Sequence, residues 1–214
     1  MKLVVVAAGL TQPSSTRLLA DRLTEATSGL LPEPPEVRVV ELRELAVDVA
    51  NAFVTGFPNT RLREVIEAVT AADGLIAVTP IFSGSYSGLF KSFFDVIDNT
   101  ALAGKPVLVA ATGGTARHSL ALEHALRPLF SYLRAVVVPT AVYAAAEDWG
   151  GGGDPFTDGL GERIARAAGE LAGLLARHAP EPRAGARADG RQAEDVEDVV
   201  PFEQQLSALR PPTA

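Results

Sequence analysis

Residues 79 to 95 read TPIFSGSYSGLFKSFFD, and the fold is decided by how this stretch is understood. Gly74 to Val78 before it is a short apolar run of buried-strand type, and Leu89 to Ile97 after it is helix-like. Between them lie Pro80, Ser83, Gly84, Ser85, Tyr86, Ser87 and Gly88. Glycine and serine leave amides and carbonyls uncovered, so such a loop brings backbone close to a flat ligand. It follows the carboxyl end of a strand, the edge at which open α/β sheets bind ligands. The plainer reading is a strand-to-helix connection and nothing more.

Working outward, the same alternation recurs. Leu3 to Ala8 reads as a central strand, Gly9 to Arg17 as the loop after it and Leu18 to Leu30 as a helix. Ser14, Ser15 or Thr16 is placed to cap that helix. Val37 to Leu42 is a second strand, 44–53 a short amphipathic helix and Asn59 to Ala72 a clearer one. Gly74 to Val78 is the third strand and Lys105 to Ala111 the fourth. Ser119 to Leu133 is a helix with Leu120, Leu122, Leu126 and Leu129 apolar, kinked or restarted at Pro128. Ala135 to Val138 is the fifth strand, extended or followed by Ala141 to Ala145. A Gly-rich stretch, Asp148 to Asp158, reads as mobile, and Leu160 to Ala176 is the closing helix. Five strands alternating with helices predict a doubly wound α/β fold with a parallel sheet in the order 2-1-3-4-5.

The 214 residues suit one such domain, residues 1–177, plus an extension, 178–214. Ala184 to Glu194 in that extension has the composition of a disordered linker. Val196, Val199, Val200, Phe202, Leu206 and Leu209 restore apolar character beyond it, so the end is expected to dock on its own body or a neighbouring subunit. The net charge of −7 argues against nucleic-acid and anionic-membrane surfaces. The absence of cysteine excludes disulfides, thiolate nucleophiles and thiolate metal sites. With a first strand directly after Lys2 and no apolar stretch of membrane-spanning length, a cytoplasmic protein is expected.

Three loops fall at one sheet edge, after strands one, three and four. The first places Thr11, Ser14, Ser15, Thr16 and Arg17 at a helix start, where hydroxyls, amides and the positive helix end suit a phosphate monoester. Arg17 is a candidate for a charge-assisted bond to it. The second runs Pro80, Ile81, Phe82, Ser83, Gly84, Ser85 and Tyr86, with Phe82 and Tyr86 as stacking walls or as core. The third offers the amides of Thr112, Gly113 and Gly114 to a ring's polar edge. Without a ligand, the first loop is simply a well-capped helix and the third a tight turn.

The first loop matches neither the dinucleotide fingerprint nor the phosphate-binding loop of nucleotidases, and no nucleophile elbow is present. No loop gathers histidine and carboxylate at metal-ligand spacing, and His124 reads as a residue packed on a helix face. A site of amides and hydroxyls without an acid–base pair suits a cofactor that brings its own chemistry.

At this point the chain resembles a known family. TPIFSGSYSGLFKSFFD is similar to the TP-x-[YF]-x-x-x-Y-S-G-x-[LF]-K segment of NAD(P)H-dependent FMN reductases of flavodoxin-like fold. ATGGTARHSLALEHALRPLFSYL, residues 111–133, resembles the ATGGT-x-x-H segment of the same group, especially the reductase components of two-component alkanesulfonate and luciferase-like monooxygenase systems. The resemblance runs from about Lys2 to Leu175. It implies that Thr11, Ser14, Ser15 and Thr16 hold the FMN phosphate. It places Pro80 to Tyr86 along the isoalloxazine ring, and Thr112, Gly113 and Gly114 at its pyrimidine edge. It also implies NADPH or NADH as reductant, a flavin-dependent monooxygenase as partner, and a homodimer or homotetramer. The first loop departs from the family in reading GLTQ, and His124 stands where the alkanesulfonate reductases carry an interfacial tyrosine. The implied activity is hydride transfer from nicotinamide to FMN. The alternatives are an FMN-containing quinone, azo or metal-oxyanion reductase, a flavodoxin-like electron carrier, and an interaction module that binds no flavin. Arg117 is the candidate contact for a 2′-phosphate.

Overall fold

A computed structural model describes residues 1–149 and 159–178. The end segment after His178 and the Gly-rich residues 150–158 lie outside the described residues. The chain runs β1 (Lys2–Ala7), α1 (Ser15–Ser28), β2 (Glu36–Glu41), a 3₁₀ turn at Leu42–Leu45, α2 (Ala46–Thr55) and α3 (Thr60–Ala71). There follow β3 (Gly74–Phe82), β4 (Ser85–Tyr86), α4 (Gly88–Asp95) and β5 (Pro106–Gly113). A 3₁₀ turn at Ala116–His118 and a π turn at Leu122–Leu126 lead into α5 (Arg127–Tyr132). The described chain closes with β6 (Val136–Val137), β7 (Val142–Ala145), a 3₁₀ turn at Ala146–Trp149 and α6 (Leu160–His178).

The strands lie in the order β2-β1-β3-β5-β6, with β7 pairing β5 further along, so five parallel positions read 2-1-3-4-5. This is the flavodoxin-like arrangement, whose crevice opens between β1 and β3. The fifth position is interrupted because Val138 to Ala141 contains Pro139, which has no N–H for the ladder. The break is held from both sides: Arg127 donates to the carbonyls of Val138 (3.0 Å) and Pro139 (2.9 Å), and Thr140 donates to Glu170 of α6.

Each sheet face carries its own core. On one, Leu3, Val5, Ile76, Val78 and Leu108 meet Leu19 and Leu23 of α1 and Ile164, Leu171 and Leu175 of α6. On the other, Val4, Val6, Leu75, Val107 and Val109 meet Leu62, Val65 and Val69 of α3 and an aromatic cluster. Phe94 lies 4.8 Å from Phe90, 5.3 Å from Phe93 and 4.9 Å from Phe130, in tilted or edge-on pairs that favour ring quadrupoles. Truncating any of these buried phenylalanines removes about 3–5 kcal/mol.

Three expectations are corrected. Helix α1 starts at Ser15, not Leu18, because the Ser14 hydroxyl accepts from the Arg17 amide at 3.2 Å and caps it. Thr16 and Arg17 therefore sit in the first helical turn. Strand β3 continues to Phe82, and Ser83 and Gly84, both at positive φ (49° and 78°), turn it into an antiparallel hairpin with β4. That two-residue turn requires the left-handed region at both positions, which glycine and short polar residues tolerate. Helix 119–133 restarts at Pro128 as its sequence predicts, but a π turn precedes the restart, and Leu120 is 64 % exposed rather than on the buried face with Leu122 and Leu126.

Candidate functional site

At the carboxyl edge of β1, β3 and β5 lies a cleft of about 410 Å³ lined by Thr11, Ser14, Ser15, Thr16, Pro80, Ile81, Phe82, Thr112, Gly113 and Gly114. Gly9, Leu10, Ala146 and Trp149 complete its walls. None of these side chains carries a formal charge. The positive end of α1 and its first amides open onto the Ser14–Thr16 side.

One interaction fastens the first loop to the third. The hydroxyls of Thr16 and Thr112 are 2.8 Å apart and buried. Buried hydroxyls stay only where they are partnered, so this bond holds the α1 start against the end of β5. Gly9 lies so close to this start that a Cβ there would overlap the Ser14 hydroxyl. The second loop is set by a buried hydroxyl: Thr79 Oγ1 donates to the Pro80 carbonyl (3.0 Å) and accepts from the Ser87 amide (3.1 Å). The Ser87 hydroxyl in turn caps α4 by accepting from the Phe90 amide (3.1 Å).

Behind the third loop stands Tyr143 of β7. Its hydroxyl donates to the Thr115 carbonyl at 2.9 Å, and a Cβ on Gly113 would overlap that hydroxyl. Burial foremost, then the nearby Glu147 and Asp148, pushes the phenol pKa up, so it stays a donor. The following turn is pinned by Asp148, which accepts from the Ala145 amide (2.7 Å) and pairs with Arg163 of α6 (2.8 Å). Trp149 at its end packs on the α1–α6 core, with the Arg22 guanidinium 5.1 Å from its ring centroid.

Several candidates do not enter the cleft. Arg17 is held by Asp21 (2.8 Å) and Glu41 (2.6 Å), which raise its pKa with Asp21 foremost, and it does not line the cavity. Ser83, Gly84, Ser85 and Tyr86 form the far side of the hairpin. Tyr86 packs toward Phe90 (6.0 Å), whereas Phe82 stands 46 % exposed at the cleft mouth. Trp149 and Ala146 were not expected from the sequence. The available signal was topological, since the loop after the fifth strand ends at the same sheet edge. A larger cavity, about 690 Å³, lies between α4 and α5. It lacks the amide-rich sheet edge of the first.

A family model described as NADPH-dependent FMN reductase matches residues 1–150. The chain is 40 % identical over 148 residues to FMN reductase (NADPH) of Pseudomonas aeruginosa, covering 69 % of this chain and 78 % of that protein. It is 41 % identical over 149 residues to NADH-dependent FMN reductase SfnF of Pseudomonas fluorescens, covering 70 % and 79 %. Among solved structures, an oxidoreductase from Corynebacterium diphtheriae superposes with a TM-score of 0.78 at 50 % identity, covering 82 % of this chain and 97 % of that one. With a flavodoxin-like sheet, an uncharged cleft at its switch point and a family match over most of the length, the chain belongs to the NADPH-dependent FMN reductase family and is an NAD(P)H:FMN oxidoreductase.

Proposed function

We propose that FMN binds in the cleft between α1 and the β3–β4 hairpin, and that the reduced flavin is handed to a flavin-dependent monooxygenase. The observation that carries this reading is the buried Thr16–Thr112 bond, which joins a phosphate-type helix start and an amide-bearing strand end into one cavity free of charged side chains. The donor set fits the group. Ser15, Thr16 and Thr11 would hold the phosphate at the α1 N-terminus, with Ser14 partly engaged in its cap. Pro80 to Phe82 would lie along the ring and Thr112 to Gly114 meet its polar edge, with Trp149 closing the wall opposite.

When bound, FMN supplies the redox chemistry, taking a hydride from NAD(P)H and a proton from water to give FMNH₂ and NAD(P)⁺. The chain's own residues bind and orient. Glycines at 9 and 113 admit close backbone approach, Tyr143 braces the third loop from beneath, and exposed Phe82 offers a surface at the mouth. No side chain is required as general acid or base, and none in the cleft wall is suited to that role. Flavin that leaves after reduction serves as substrate rather than resident cofactor, as transfer to a partner oxygenase requires. We further assign the protein to the cytosol. We also assign it a homodimeric or homotetrameric state. Among the described residues no helix is long and apolar enough to cross a membrane.

The test is an anaerobic titration of FMN into flavin-free protein, read by fluorescence of the sole tryptophan, Trp149, followed by mixing with NADPH or NADH. Quenching that saturates, then bleaching of the flavin band, is expected. Unchanged fluorescence together with an unbleached flavin overturns the reading.

A further inference from the structure

Beside the cleft, on the other side of the hairpin turn, lies a second groove of about 410 Å³. Gly84 and Ser85 of the hairpin turn, Arg117, His118 and His124 line it together with the apolar Leu120, Ala121 and Ala125. No carboxylate lines it. Among the described residues the Arg117 side chain makes no ion pair or hydrogen bond; its partners stop at the backbone, where its amide donates to the Thr115 hydroxyl (3.3 Å). The nearest acid in sequence to His124, Glu123, is held by two bonds from Arg127 (2.6 and 3.0 Å).

The position of Arg117 is also built. Thr115 caps its turn through the hydroxyl, and the Thr115 carbonyl receives the Tyr143 hydroxyl (2.9 Å). The same tyrosine braces Gly113 in the cleft wall, so one side chain fixes both the ring-edge loop and the base of the arginine. On a chain of net charge −7, an uncommitted guanidinium with two imidazoles beside it is a local anion-attracting spot.

Resting on the function proposed above, we infer that this groove takes the adenosine end of the dinucleotide, with Arg117 on the 2′-phosphate, and so makes the enzyme selective for NADPH over NADH. The cleft has no charge to offer a second anion, whereas the groove has charge without an amide cradle for a flavin. A planar guanidinium matches the oxygens of a phosphate monoester in a bidentate pair, and the apolar side chains of Leu120, Ala121 and Ala125 suit a purine face. The relatives do not decide the matter, since some are described as using NADPH and others as NADH-dependent.

The experiment compares wild type, Arg117→Ala and Arg117→Lys with each nucleotide at saturating FMN. It also measures binding of 2′,5′-ADP and 5′-AMP by calorimetry. Wild type should favour NADPH in kcat/KM and bind 2′,5′-ADP more tightly than 5′-AMP, each by about tenfold or more. Arg117→Ala should erase both preferences by raising KM for NADPH alone, leaving kcat, the NADH KM and FMN affinity in place; Arg117→Lys should keep part. A wild type that prefers NADH, an Arg117→Ala enzyme that retains its NADPH preference or loses both nucleotides equally, or equal binding of the two adenosine phosphates would each overturn the inference. Failure to reduce FMN with either nucleotide would instead overturn the flavin reading; the two adenosine phosphates then judge the groove by themselves.

Discussion

The cleft at the sheet edge and the Arg117 groove are separated by one hairpin turn, yet they are made of opposite materials. The cleft is walled by hydroxyls, glycines and the end of a helix, packed so closely that Gly9 and Gly113 have no room for a methyl group. The groove is open, and its chemistry resides in exposed side chains. A backbone-built site has its shape set by the sheet, so it tolerates few substitutions. A site built from exposed side chains is free to change specificity without disturbing the fold. On the proposed reading, that difference would give the shared step of the reaction to the cleft and the choice of reductant to the groove.

The strongest way to break this contrast is Gly113→Ala. Overlap with the Tyr143 hydroxyl should lower stability by about 1–3 kcal/mol and weaken FMN binding about tenfold or more. Adding Tyr143→Phe should return part of the loss. Urea unfolding and flavin titration read both, and a neutral single variant would show that the cleft wall yields.

Thr16→Val comes next. It strands the Thr112 hydroxyl in a buried setting, at a cost of about 1–2 kcal/mol, with weaker flavin binding. Because each partner is costly mainly when the other is left alone, Thr16→Val with Thr112→Val should lose less than the sum of the singles. Additive losses in a double-mutant cycle would mean that the two loops are not coupled.

The smallest effect belongs to the groove side. The Arg127 hydrogen bonds hold the Glu123 carboxyl below the ordinary glutamate range. Its contribution is therefore present above the unfolded value and lost as pH falls through the folded one. With Glu123 about half exposed, Glu123→Gln should cost no more than about 1 kcal/mol at neutral pH. The difference from wild type should vanish in acid; a gap of equal size at both pH values would point to packing instead of charge.

The two regions also differ in how far they were legible in the chain. Apolar runs such as GLIAV and LVVVA, separated by helical spacing, dictate parallel strands with crossovers, and the sheet order followed from that. Most cleft residues were legible too, because loops after successive parallel strands must share an edge. Arg17 was misplaced for a reason of partners: a helix-start arginine looks like an anion ligand until Asp21 one turn on and Glu41 on the neighbouring strand are seen to claim it. The Ser83–Gly84 turn was legible as glycine-rich, but not as a hairpin that divides Phe82 from Tyr86.

By itself, then, the order of residues determined the alternation of elements, the loops that carry donors and the absence of thiol chemistry, since each depends on local pattern or composition. Only the tertiary structure decided that Thr16 meets Thr112 across 96 positions, that Tyr143 stands beneath Gly113, and that Trp149 joins the cleft. These are contacts between distant segments, set by how two packed faces bring strand ends together, and no local pattern encodes such a distance.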